Sequence, residues 1–183
     1  MTAQAEVPPA AIPEPKIVDG RFIPTRDVPF SESLDALIAE IRAGNAPNLG
    51  HFCAYCCTPL HDAGSACPTC GASPLETPPR DKISQPLAEI YTAKRKKEAR
   101  YVHSAAWLGL LLGAGISMAL IVVLPSWTKF LAIAFLILGS YYLASYLGNV
   151  LVQDYAYRNG LRLFAQRWHD YVLTRERGAV DDD

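Results

Sequence analysis

The sequence predicts a mainly α membrane protein: a two-helix transmembrane hairpin, with a small four-cysteine module on its N-terminal side and an amphipathic helix on its C-terminal side. Three observations carry the prediction. Residues 102–124 and 130–152 form two apolar runs of 23 residues each. Two Cys-x-x-Cys turns fall within residues 53–70. The charges are segregated: between His103 and Val152 the one charged residue is Lys129, although 19% of the chain is charged. A net charge of −1 over 183 residues excludes the strongly basic balance usual for nucleic-acid binding.

Residues 1–30 read as an extended Pro-rich arm, with six of the fourteen prolines before residue 30. Residues 1–16, rich in Ala, Pro and Glu, are expected to be extended or disordered when free. The first residues, MTAQAEVPPAAIPEPK, have neither the basic start and apolar core of a secretory signal nor the Arg-rich character of a transit peptide. The first span is therefore expected to be its own insertion signal. Asp19-Gly20, between apolar residues, signals a type I′ hairpin, although such short strands are marginal alone. Residues 31–44 read as a helix capped by Ser31 and ended by Gly44. Leu34, Leu37, Ile38 and Ile41 recur at helical spacing and give it one apolar face. That face suits either packing on the cysteine module or binding a partner's groove.

Residues 50–76 hold Cys53-Ala54-Tyr55-Cys56, then Thr58-Pro59-Leu60, then Cys67-Pro68-Thr69-Cys70-Gly71. A Cys-x-x-Cys turn aims two thiolates at one ion, and two such turns complete a tetrahedral site. The pattern resembles the short zinc-ribbon family that bacteria often join to transmembrane segments. The resemblance covers about 25 residues. It implies a structural zinc on Cys53, Cys56, Cys67 and Cys70, and a bacterial inner membrane. Four thiolates leave no open position for water or substrate, and metal binding folds a segment too small for its own core. Iron is the alternative, because Cys-Pro-Thr-Cys-Gly also resembles a rubredoxin knuckle; the ten-residue gap between the pairs is shorter than in that family. Disulfides conflict with a reducing cytoplasm. Where the ribbon family usually has Gly after its second cysteine, this chain has Cys57. Gly suits a positive φ, and Cys adopts it at a cost. Cys57 is read as a spare thiol outside the ligand set, and His51 and His61 as non-ligands. Residues 50–76 contain no Lys or Arg, which argues against phosphate contacts and for a protein contact.

Residues 77–101 read as a linker followed by a basic helix entering the hairpin, residues 102–152. Each apolar run is long enough to cross a hydrocarbon core of about 30 Å. Pro125, Trp127 and Lys129 suit a tight turn at the membrane surface. Lys94, Arg95, Lys96, Lys97 and Arg100 precede the first span, and Arg158, Arg162 and Arg167 follow the second, against Lys129 in the turn. The positive-inside rule then puts both termini in the cytoplasm. Small residues recur every fourth position: Ala105, Gly109, Gly113 and Ser117 in the first span, and Ser140, Ala144 and Gly148 in the second. They let helices approach closely, either each other or another subunit. No Asp, Glu, Arg or Lys sits mid-span, so neither run offers a transport path of the usual ionisable kind.

Residues 153–183 read as a helix from Leu161 to Arg177, after a break at Asn159-Gly160, and an acidic tail. Leu161, Phe164, Trp168, Tyr171 and Val172 give the helix an apolar face. It suits the membrane interface, with packing on the cysteine module or a partner as the competing view. The chain contains no nucleophile, phosphate-loop or paired-carboxylate motif, and no small-molecule substrate is evident. The expected function is a non-enzymatic accessory or scaffold subunit of a larger membrane protein complex. A membrane-tethered, rubredoxin-like electron carrier is the alternative.

Overall fold

The computed structural model describes residues 13–18, 21–62, 64–75 and 78–176, which divide into two units. One contains the chain up to Ile90 together with the segment from Phe164 onward; the other is Tyr91–Leu163.

In the first unit, β1 (Ile17–Val18) and β2 (Arg21–Phe22) pair antiparallel, Ile17 opposite Phe22. The Asp19-Gly20 turn itself, residues 1–12 and the acidic tail at 181–183 lie outside the described residues. Helix α1 (Glu32–Ala43) starts and stops on the expected caps. The Ser31 hydroxyl accepts from the Leu34 N–H at 3.4 Å, and Gly44, at φ 79°, donates to the Ile41 carbonyl at 3.1 Å. Its apolar face is used inside the chain. Leu34 and Ile38 are buried, Leu37 and Ile41 half-buried, so of the two uses the face suits, its centre is taken up by packing within the chain.

That core continues through aromatic rings. Phe30 meets Phe22 and Phe164 edge to face, at 5.7 and 5.3 Å between centroids. Phe164 stacks on Trp168, which also takes Tyr55 edge-on at 5.8 Å. Phe164 and Trp168 belong to α5 (Gln153–Glu176). Two expectations for this helix are corrected. Its apolar face does not lie in a membrane interface: Leu161, Phe164, Trp168 and Tyr171 are all buried in protein. Nor does it start after Gly160; it runs through Asn159-Gly160 without a break. Gly160 is there for room, since a Cβ would come within 2.7 Å of the Glu98 side chain.

In the second unit, α2 (Gln85–Val123) joins the expected basic helix and the first apolar run into one helix of 39 residues, whose first turns belong to the other unit. A 3₁₀ turn at Ser126–Thr128 follows Pro125. The second run is α3 (Lys129–Ala134), a π-helical turn (Phe135–Gly139), α4 (Ser140–Tyr146) and a second π turn (Leu147–Leu151). The π turns were not foreseen. The two runs pack antiparallel through their small residues. A Cβ on Gly109 would lie 2.6 Å from the Ala144 Cα, one on Gly113 2.6 Å from the Ser140 Cα, and Gly148 faces Val102 and Ala106. Below the spans, Lys94 departs from the expected basic cluster. It is buried, pairs with Glu98 at 2.9 Å and lies 5.2 Å from the Tyr157 ring centre. The helices Gln85–Val123 and Ser126–Leu151 are both long and apolar enough to span a membrane. Within the chain their apolar residues face outward, as at Leu111, Met118, Val122, Trp127 and Ile137.

Candidate metal centre

The two cysteine turns are built on the same hydrogen bonds. In the first, the Cys53 carbonyl accepts from the Cys57 N–H at 2.8 Å, and the Cys53 N–H donates to the Thr58 carbonyl at 3.0 Å. In the second, the Cys67 carbonyl accepts from the Gly71 N–H at 2.8 Å, and the Cys67 N–H donates to the Ala72 carbonyl at 2.9 Å. Each knuckle closes on a residue in the left-handed region, Gly71 at φ 71° and Cys57 at φ 55°. Cys57 is the one non-glycine with positive φ among the described residues. Cβ crowding disfavours that backbone for any residue but Gly.

Short backbone pairings hold the first knuckle. The Leu60 N–H donates to the His51 carbonyl at 2.8 Å, and Phe52 exchanges two bonds of 2.8 Å with Arg80. The Asn48 side chain then grips both backbone groups of Ile83, at 2.9 and 3.0 Å. Residues 80–83, expected to be linker, are therefore a third edge of the module. From the far end of the chain, Arg175 donates to the Ala54 carbonyl at 3.2 Å.

This scaffold brings Cys53, Cys56, Cys67 and Cys70 together, all four sulfurs within 4.8 Å of one another. Across the turns, Cys53 and Cys70 are 3.6 Å apart and Cys56 and Cys67 3.5 Å. A tetrahedron with metal–sulfur bonds of about 2.3 Å has sulfur–sulfur edges of about 3.8 Å, so the group fits one ion held by four thiolates. The Thr58 hydroxyl lies 3.1 Å from the Cys56 sulfur, an outer contact that orients a ligand. Within the cluster, hydrogen bonds from Cys56 and Cys70 hold the Cys53 thiol far below its usual range, while the bond to Cys53 raises Cys56 and pushes Cys70 up to about 12. Four such groups can all ionise together only around a cation.

Cys57 is outside the group that could hold a metal, although it is buried. Burial pushes its thiol up to about 11, against the opposing pull of Arg80 and Arg175. His51 and His61 are exposed and also outside the group. Sequence reasoning missed Asn48, Arg80 and Arg175; their contacts with Ile83, Phe52 and Ala54 are long-range and leave no periodic trace. Comparison with protein-family models, with curated proteins and with solved structures finds no match to this chain.

Proposed function

We propose that this chain is a non-enzymatic accessory subunit of a membrane protein complex, inserted as a helical hairpin and carrying a structural zinc ribbon on the cytoplasmic side of a bacterial inner membrane. The observation that carries the reading is the makeup of the first unit. Segments preceding the first apolar helix and following the second pack together, through Phe30 with Phe164, Tyr55 with Trp168, and Ala54 with Arg175. Flanks that share one body lie on one side of a bilayer, which requires an even number of crossings. The basic residues at Arg95–Lys97, Arg100, Arg158 and Arg162 favour the cytoplasm for that side.

Zinc is the metal of choice because a closed four-thiolate set suits it and a module this small needs a staple. With the faces of α1 and α5 occupied internally, partner contact falls to apolar residues left exposed on the module's loops, Leu49 and Leu75. The test is purification of the full chain in mild detergent with metal quantification. One zinc per chain and a different protein at fixed stoichiometry are expected. A chain that never retains another protein sinks the accessory role. A red protein with iron sinks the zinc assignment in favour of electron transfer.

A further inference from the structure

Resting on the membrane reading but adding a ligand to it, we propose that the chain holds an anionic phospholipid at the neck of the hairpin, its phosphate on Lys97, Arg158 and Arg162 beside the paired rings of Tyr101 and Tyr155. All five residues belong to the second unit. The Tyr101 and Tyr155 rings meet edge to face at 5.4 Å between centroids, which joins α2 to α5 at this level. Lys97 lies one turn before Tyr101 on α2, and Arg158 and Arg162 lie one and two turns after Tyr155 on α5. Both segments are regular α-helix, so spacings of three, four and seven keep each set on one face. The first apolar run follows Tyr101 and the second precedes Tyr155, so all three cations stand on the side of the ring pair away from the spans. Arg158 and Arg162 are exposed and Lys97 half-buried, and among the described residues none of the three forms an ion pair. The neighbouring acids leave them uncompensated: Glu98 is engaged by the buried Lys94, and Asp154 pairs with neither arginine.

Depth selects the occupant. Lys97 stands five residues before the first apolar run and Arg158 six after the second, about 7.5 and 9 Å along a helix. Head groups occupy about 5–7 Å beyond a core of about 30 Å, so these long side chains reach the phosphates. Tyrosine favours the boundary between the two layers. Toward the spans, α2 continues the stripe of Lys97 and Tyr101 through Ser104 and Leu108, both exposed, at i+7 and i+11 from Lys97. Cation, phenol and apolar side chain thus succeed one another in the order of a phospholipid's phosphate, ester and acyl chain. A free phosphate uses only the first of these, and an acidic protein surface does not continue into hydrocarbon. Guanidinium groups grip phosphate with paired donors. A zwitterionic head group brings its own cation against the three already here, so the site favours a lipid of net negative charge.

The test uses the full, metal-loaded chain in vesicles of phosphatidylcholine with a minor share of phosphatidylglycerol. Resistance to alkaline extraction is measured first; a chain that washes off ends the membrane reading and this site together. For the inserted chain, association of spin-labelled phosphatidylglycerol is compared with that of spin-labelled phosphatidylcholine. A preference for the former is expected, and Lys97→Gln with Arg158→Gln is expected to weaken it by roughly fivefold per lost cation, the factor equivalent to about 1 kcal/mol. Arg95, Lys96 and Arg100 remain in that variant, so the charge bias that orients the hairpin is kept. Lys129→Gln, a single charge loss in the turn, leaves the preference unchanged, as does excess inorganic phosphate at matched ionic strength. A photo-crosslinking residue placed at Tyr155 is expected to capture lipid. An inserted chain that shows no preference, that loses it to Lys129→Gln or to inorganic phosphate, or that crosslinks from position 155 only to another protein overturns the site and leaves the membrane reading intact.

Discussion

Trp168 and Trp127 carry the same side chain into opposite surroundings: the first is 2% exposed, the second 78%. The contrast extends to their units. In the first unit the large apolar groups turn inward, to a core shared by α1, the cysteine turns and the end of α5. In the second, the two apolar runs close on each other through a seam of small residues, and most of their Leu, Val, Ile and Phe face out. Both units obey the same hydrophobic rule: the first has protein as its apolar phase, and the second, as proposed above, takes lipid. Their stability should therefore respond to different insults, and each substitution below should move one unit and spare the other.

Metal removal is the sharpest break. Structural zinc sites contribute apparent free energies of about 10–16 kcal/mol. Chelation, or Cys56→Ser with Cys67→Ser, is expected to remove amide-exchange protection throughout residues 50–83 while the helices of the hairpin keep theirs. Protection that survives in the module would mean its aromatic core suffices without metal. Next comes Trp168→Ala, expected to cost about 3–5 kcal/mol in the denaturant unfolding of the module. Trp127→Ala, at an exposed turn, should stay within about 0.5 kcal/mol by the same measurement.

In the hairpin, Gly113→Val sets a side chain against Ser140 and should cost about 1–3 kcal/mol, read from thermal unfolding in detergent. Gly115, with nothing within 4 Å of an added Cβ, is the control: Gly115→Val should change little. The smallest effect is Cys57→Gly. Relief of the left-handed backbone is offset by lost burial and added chain freedom, leaving a net change within about 1 kcal/mol. Metal content by mass spectrometry should remain one ion per chain. Loss of the ion would make Cys57 a ligand.

Features with local chemistry were legible in the sequence. The Ser31 and Gly44 caps, the strand pair around Asp19-Gly20, the four thiols and the lengths of the apolar runs each rest on neighbours a few residues apart. Gly at the seventy-first position and Cys at the fifty-seventh even announce the matching backbone turns of the two knuckles. What escaped was decided by distant partners. Asn159-Gly160 reads as a break until Glu98 is seen to need the space. Lys94 reads as a surface charge until Glu98, one helical turn on, neutralises it. The aromatic face of α5 suits lipid and protein equally well, and only Phe30 and Tyr55, more than a hundred residues earlier, decide between them.

The contact from Arg175 to Ala54 spans 121 residues of chain. A ribosome finishes the cysteine turns long before it reaches the helix that covers them. Phe30 and Tyr55 must therefore wait, uncovered, until the segment that carries Phe164 and Trp168 has been made. Completion of the N-terminal half thus depends on residues that follow both apolar runs.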